Sequence, residues 1–216
     1  MSVKELIAAS YCISIDPIRA KQINCVFSKI FGSSPHIVRG YRSRRCNGIE
    51  NCAMAHQTIV RMAKAEGLDH VLIFEDDAYP RHDAPAHIEK AIGNTPNDAK
   101  IIVLGFNQVN SAREYNSELS LVSPREGLDF SVWGSHSYII YRNAYDEYLD
   151  IWEENPGLSS DGYFSRISPA YVSKTNLFIQ MCSERSMNGH SGYIWGNKSH
   201  DNPPDGFNKR EEYLLK

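Results

Sequence analysis

The stretch Val71-Leu72-Ile73-Phe74, running directly into Glu75-Asp76-Asp77, constrains this chain more than any other. Four consecutive apolar residues without polar alternation read as a central strand covered on both faces. In open α/β sheets, ligands collect at the carboxyl ends of the strands, which is where the three acids fall. Side chains alternate along a strand, so Glu75 and Asp77 are expected on one side and Asp76 on the other. Three neighbouring carboxylates repel one another unless positive charge sits between them. A divalent cation shared with diphosphate oxygens meets that need, whereas a solvated acidic turn is the plainer alternative.

The neighbouring segments fit the same α/β plan. Tyr11 to Ile15 reads as a short buried strand ending at Asp16-Pro17, an N-cap followed by proline at the first helical position. Ile23, Val26, Phe27 and Ile30 then recur at helical spacing until Gly32, and His36 to Val38 reads as a second strand. A helix is expected from about Asn51 to Glu66, closed by Gly67, with Ala55, Ile59, Met62 and Ala63 as its buried stripe. Another is expected over about Ala84 to Ile92, followed by a central strand from Lys100 to Gly105. Strands alternating with helices predict a mostly parallel sheet with helical crossovers. Beyond this the polar stretch 107–129 reads as a long surface loop, and Phe130 to Tyr141 as an aromatic-rich strand or hairpin. Asn143 is expected to cap a helix carrying Tyr145, Tyr148, Leu149 and Trp152. After the turn at Asn155-Pro156-Gly157, a short helix begins near Ser159-Ser160-Asp161, and one or two strands lie between Tyr171 and Met181.

No repeat or linker divides the chain, so its 216 residues are expected to form a single domain. A hydrophobic content of 42% and a charged content of 23% are ordinary for a globular protein. The net charge of -3 argues against a polyanionic partner, so no nucleic acid is expected. Arg39, Arg42, Arg44 and Arg45 form a local basic knot of a size that suits a phosphate group. No apolar run is long enough to span a membrane, and the start lacks a secretory signal, so a cytoplasmic location with at most peripheral membrane contact is expected. Cys12, Cys25, Cys46, Cys52 and Cys182 show no CxxC spacing, and buried reduced thiols are expected over a disulfide or zinc framework.

The segment Gly48-Ile49-Glu50-Asn51-Cys52-Ala53-Met54-Ala55-His56, followed by a helix and by His70 to Ala78, resembles glycosyltransferase family 25. That family includes bacterial lipopolysaccharide β-galactosyltransferases. The resemblance extends to Ile13-Ser14-Ile15-Asp16, to Trp133-Gly134-Ser135-His136-Ser137-Tyr138 and to Ser160-Asp161. Gly48, Cys52, Ala53 and His56 match the family's Gly-x-x-Gly-Cys-Ala-x-Ser-His pattern, while Asn51 replaces its second glycine and Ala55 its serine. Ser14 stands where the family usually has asparagine, and the flanking arginine is shifted to Arg19.

What the resemblance implies is a GT-A-type α/β fold. Residues of about 1–107 would bind a nucleotide sugar, and residues of about 108–216 would shape an acceptor site. Asp77 would be a direct ligand of Mn²⁺ or Mg²⁺, Glu75 a second ligand or a ribose contact, and Asp76 a contact to the donor sugar. Ser14, Asp16 and Arg19 of the opening segment would line the donor site. Asp161 would serve as general base, although a carboxylate in a first helical turn is equally explained by the helix dipole. His190 would be an additional metal ligand.

Other residues keep two readings each. Arg45 and its neighbours are either a phosphate clamp or a solvated loop. His56 and His136 either touch the donor or are satisfied core histidines, and Trp133 and Tyr138 either stack on a sugar or pack the core. The glycine-rich segment of about 183–206 is expected to close over bound donor. The expected partners are a UDP-hexose and a carbohydrate or glycolipid acceptor. The competing functions are a metal-dependent phosphoesterase and a sugar-nucleotide-binding module without turnover.

Overall fold

The apolar strands and amphipathic helices assemble into three layers in the computed structural model, which describes residues 1–43, 45–124, 131–134, 136–155 and 158–181. A short helix, α1 (Val3–Ala8), precedes the first strand, β1 (Ser10–Ser14). It has no counterpart in the sequence reading, because six residues are too few to show helical periodicity. Its start is nonetheless encoded, since Ser2 and Glu5 form a capping box. Asp16 caps α2 (Pro17–Phe31) by accepting a hydrogen bond from the Ile18 N–H at 2.8 Å, and Gly32 closes it with φ +77°.

The parallel edge strand β2 (His36–Arg39) leads to α3 (Gly48–Ala65). That helix begins earlier than expected. Asn47 and Glu50 form a reciprocal capping box, each backbone N–H meeting the other's side chain at 2.9 Å. Strand β3 (His70–Glu75) follows, with Val71 to Phe74 fully buried, then β4 (Ala78–Pro80), α4 (Ala84–Gly93) and β5 (Ile101–Gly105).

The second half differs more from expectation. The predicted loop over 107–129 contains β6 (Gln108–Val109), β7 (Ala112–Glu114) and β8 (Leu119–Val122), and the last two extend the main sheet. These strands are too short and too polar to show alternation. Only Leu119 and Val122 are buried among the residues of β8. Strand β9 (Val132–Trp133) pairs with β6, and β10 (Ser137–Tyr141) enters the centre of the large sheet. Asn143 does not cap α5 (Tyr145–Glu154). It lies in a 3-10 turn and donates to the carbonyls of Asp98 and Ala99, and no side chain caps that helix. The remaining elements are α6 (Ser160–Phe164), β11 (Ala170–Ser173) and β12 (Phe178–Gln180).

The eight-stranded sheet has the order β2-β1-β3-β10-β5-β11-β8-β7. Its pairings leave β10 and β8 running against the other six, so the sheet is mostly unidirectional, as the βα alternation predicts. Odd-numbered residues of β3 pack with Ala55, Ile59 and Ala63 of α3, with Tyr145 and Tyr148 of α5, and with Tyr163 and Phe164 of α6. Even-numbered residues of β3 pack with Leu6 and Ile7 of α1, with Ile23 and Phe27 of α2, and with Ile88 of α4. Each such aliphatic or aromatic side chain, fully buried, contributes about 1.5–3 kcal/mol relative to exposure. Both faces of the sheet are therefore committed to the core, and only its ends are left for ligands.

Strands β10, β5 and β12 meet tightly at the carboxyl end of β5. A Cβ on Gly105 would stand 2.7 Å from His136 Cδ2 and 2.8 Å from Phe178 Cβ. Gly105→Ala is expected to destabilise the protein by about 1–3 kcal/mol, read as a lowered midpoint in urea unfolding.

Candidate active site

The acids that end β3 are divided between the two faces of the sheet. Glu75 lies on the α3 side, with Oε1 at 3.7 Å from Cys52 Sγ and 3.5 Å from His56 Nε2. Asp76 lies on the α2 side, where the Ser14 hydroxyl donates to Oδ2 at 2.6 Å and the Arg19 guanidinium pairs with Oδ1. Strand alternation accounts for both placements. Asp77 departs from the expected pattern. It lies beyond the strand in a turn, and its Oδ2 is 3.1 Å from the same Arg19 nitrogen that holds Asp76. The chain after it is pinned by the Met181 N–H, which donates to the Asp77 carbonyl at 2.7 Å. Arg19 thus supplies positive charge between two of the three acids.

Burial dominates the titration of this group. It pushes Asp77 up from 3.8 to about 7, reinforced by the charge of Glu75 and partly opposed by Arg19. Burial also raises Asp76, against the pull of Ser14 and Arg19. Glu75 ends below its ordinary value, because the contributions of His56, His136 and Cys52 exceed its own burial penalty. Asp77 Oδ1 is buried with no hydrogen-bond partner. A hard divalent cation binds such carboxylate oxygens, so Asp77 fits the Mn²⁺ or Mg²⁺ role implied by the family resemblance.

The structure brings the other expected residues to the same end of the sheet in different ways. Ser14 is a hub: its oxygen also accepts from the Asp16 N–H at 3.2 Å, tying the start of α2 to Asp76. Asp161, in the first turn of α6, accepts from the Gly134 N–H at 3.0 Å and stands near Cys52. Its carboxylate therefore anchors the backbone beside β9, whose Trp133 is 42% exposed.

His56 and His136 are 0% and 1% exposed, so both stand behind the carboxylates rather than on a surface that a donor would touch. His56 Nδ1 is 2.9 Å from the hydroxyl of Tyr138, which is itself a core residue. His136 Nε2 donates to the Phe178 carbonyl at 2.7 Å, and burial lowers its basicity. Its own carbonyl accepts from the Glu75 N–H at 3.0 Å, so the residue leading into β10 sets the height of the acid. Arg45 is exposed on the loop before α3, and Arg42 reaches the Ile15 carbonyl at 3.5 Å. Arg44, His190 and the segment of about 183–206 lie outside the described residues.

Two contributions were not anticipated. Asn51, the residue that departs from the family pattern, accepts from the Ser43 N–H at 3.0 Å and donates to the carbonyls of Ser43 and Cys46 at 3.2 Å. It ties the arginine-bearing loop to α3. Cys52 faces Glu75 from the next helical position. Its spacing to His56, four residues on one helix face, was the available signal. The described cysteines Cys12, Cys25, Cys46 and Cys52 are all free, as expected, but only Cys12 is buried; Cys46 and Cys52 are half-buried and Cys25 is exposed.

No protein-family model matches this chain, and no curated protein does. Among solved structures it is similar to a glycosyltransferase involved in the glycosylation of the major capsid of PBCV-1. That likeness has a TM-score of 0.53 at 12% identity, over 84% of this chain and 96% of the other. The shared fold is a large, mostly parallel sheet flanked by helices, and it resembles that glycosyltransferase domain. Weaker likenesses are to A197 from STIV (TM-score 0.49, 14% identity, 82% and 86% covered) and to a mannose-1-phosphate geranyltransferase from Thermus thermophilus. For the latter the TM-score is 0.27 at 16% identity, with 71% of this chain and 38% of that one covered. No helix among the described residues is long and apolar enough to cross a membrane.

The raised value of Asp77 has a consequence for stability. Between its ordinary 3.8 and about 7, the folded protein holds a proton that the unfolded chain has released. Stability due to this group therefore falls as pH rises through that window. Asp77→Asn removes the titration. Its melting temperature is expected to gain on the parent from about pH 4 to about pH 7 and to hold a constant lead above. Thermal melts of both proteins across that range, in chelator, check this.

Proposed function

We propose that this protein is a glycosyltransferase that moves a hexose from a UDP-sugar to the hydroxyl of a carbohydrate acceptor such as a lipopolysaccharide, with inversion. The observation that carries the reading is the division of carboxylates at one end of the sheet. Asp76 and Asp77 share Arg19 on one side, and Asp161 stands apart beside Gly134. The glycosyltransferase fold and the family 25 resemblance of the same residues support it.

In this reading the donor lies across the carboxyl ends of β1 and β3. Asp76, held by Ser14 and Arg19, orients the donor sugar, because two fixed partners leave its carboxylate little freedom. Asp77 Oδ1 would hold Mn²⁺ or Mg²⁺, whose bound charge offsets that of the departing diphosphate. Arg42 and Arg45, exposed on the loop that Asn51 ties to α3, are placed to meet the phosphates. On the acceptor side Asp161 takes the proton of the attacking hydroxyl as its oxygen bonds to the anomeric carbon and the bond to the diphosphate breaks. The hydrogen bond from the Gly134 N–H fixes Asp161 Oδ2 at 3.0 Å and so holds the carboxylate beside β9. Trp133, next to that glycine and partly exposed, offers the acceptor a stacking surface.

A screen of UDP-sugars with Mn²⁺ and a panel of glycan acceptors tests this through acceptor-dependent release of UDP. Asp77→Ala is expected to lose metal-dependent donor binding in calorimetry while keeping the parent's circular dichroism. Asp161→Asn is expected to bind donor with unchanged affinity and to transfer about a hundredfold more slowly or worse. Donor binding without transfer to any acceptor would leave a sugar-nucleotide-binding module. Hydrolysis of simple phosphate esters without sugar transfer would point to a phosphoesterase.

A further inference from the structure

We propose that Cys52, His56 and Glu75 form a binding site for a zinc-class divalent transition-metal ion, distinct from the hard cation assigned to Asp77. The three side chains offer Sγ, an imidazole nitrogen and a carboxylate oxygen, all within 4.8 Å of one another. Cys52 and His56 are four residues apart on α3 and so share one face of the helix, while Glu75 meets them from the end of β3. Tetrahedral zinc takes such ligands at about 2.3 Å for sulfur and about 2.0–2.2 Å for nitrogen and oxygen, which places ligand atoms roughly 3.3–3.6 Å apart. The observed separations of 3.5 Å from Glu75 Oε1 to His56 Nε2 and 3.7 Å to Cys52 Sγ need only small adjustment.

The imidazole gives a second, independent indication. Its ring is 0% exposed, and Nε2 has no hydrogen-bond partner although it points at a carboxylate. Nδ1 is engaged by the Tyr138 hydroxyl at 2.9 Å, and that hydroxyl is 3.1 Å from the hydroxyl of Tyr148. With Nε2 protonated the ring merely faces Glu75, whereas with Nδ1–H donating to Tyr138 the Nε2 lone pair opposes a carboxylate oxygen 3.5 Å away. A cation resolves that opposition. The Tyr138 hydroxyl then plays the outer partner that metal-bound histidines require. The Glu75 side chain is 26% exposed, so one side of the cluster is open and leaves a fourth position for water or another oxygen ligand. Binding converts the Cys52 thiol to a thiolate and releases one proton per ion, with no redox change. Sulfur and imidazole in the set select zinc, cobalt or nickel over magnesium and manganese.

The test is a titration of the full-length, metal-stripped protein with Co²⁺, followed in the near ultraviolet for thiolate-to-cobalt charge transfer and in the visible for tetrahedral d–d bands. The expected result is a charge-transfer band that saturates at one ion per chain and is displaced by Zn²⁺. Cys52→Ser abolishes it, whereas Cys25→Ser and Cys182→Ser retain it. Tyr138→Phe, which removes only the outer hydrogen bond, is expected to weaken cobalt binding by about 10- to 100-fold. Should Cys52→Ser not fold, Glu75→Gln serves instead, keeping the shape and weakening binding. A parent protein without the band, or a band that survives in Cys52→Ser or is unaffected in Glu75→Gln, overturns the proposal. The result is independent of sugar transfer: Asp77→Ala keeps the cobalt band whether or not it loses donor binding.

Discussion

Three carboxylates cannot share the end of one buried strand unless each is given its own partner, and the rest of the site follows from how that is done. Arg19, in the first turn of α2, lies between Asp76 and Asp77. Glu75 is turned to the opposite face, toward Cys52 and His56. The division depends on strand alternation and on a turn that follows directly on the strand. A register shift of one residue in β3 would carry Glu75 onto the face that holds Arg19, and Leu72 and Phe74 out of their cluster. The apolar core and the acidic site are therefore specified by the same pairing, β1 against β3.

The antiparallel strand β10 is the second determinant. It brings Tyr138 beneath His56, and the residue just before it, His136, beside Glu75, from far along the chain. The aromatic layer that results is continuous, with Tyr138 against Phe164 at 4.6 Å and Tyr148 against Tyr163 at 4.8 Å between ring centroids. His56 stacks on Tyr138 at 5.6 Å between centroids and is hydrogen-bonded to its hydroxyl, so this layer fixes a ring whose outward nitrogen faces a charge.

Much of this is legible in the sequence, and the reasons are local. The strand Val71 to Phe74, the Asp16-Pro17 helix opener and the Gly32 stop each carry their own signal over a few residues, and each stands where expected. Asp161 falls in a first helical turn, as the Ser159-Ser160-Asp161 run implies. Strands β6, β7 and β8 are not legible, since two to four residues with mostly exposed side chains give no period to detect. Alternation extended two residues past the strand puts Asp77 on the side of Glu75, and the turn carries it to Arg19 instead. The cluster of Cys52, His56 and Glu75 escapes a search for CxxC spacing, because a helix sets ligands four residues apart. No local rule places Tyr138 under His56, because that contact spans 82 residues.

The position of β10 also bears on how the chain comes together during synthesis. Strands β3 and β5 do not touch each other, because residues 137–141 fill the gap between them. Until those residues have left the ribosome, two strands rich in valine, isoleucine and leucine each present an unpaired edge. The half of the chain that carries the acidic triplet is thus a sheet with a missing member, and its completion waits on non-local contact. A truncated product ending before residue 137 would expose both edges, which makes it a substrate for chaperones and a source of aggregation rather than a smaller working domain.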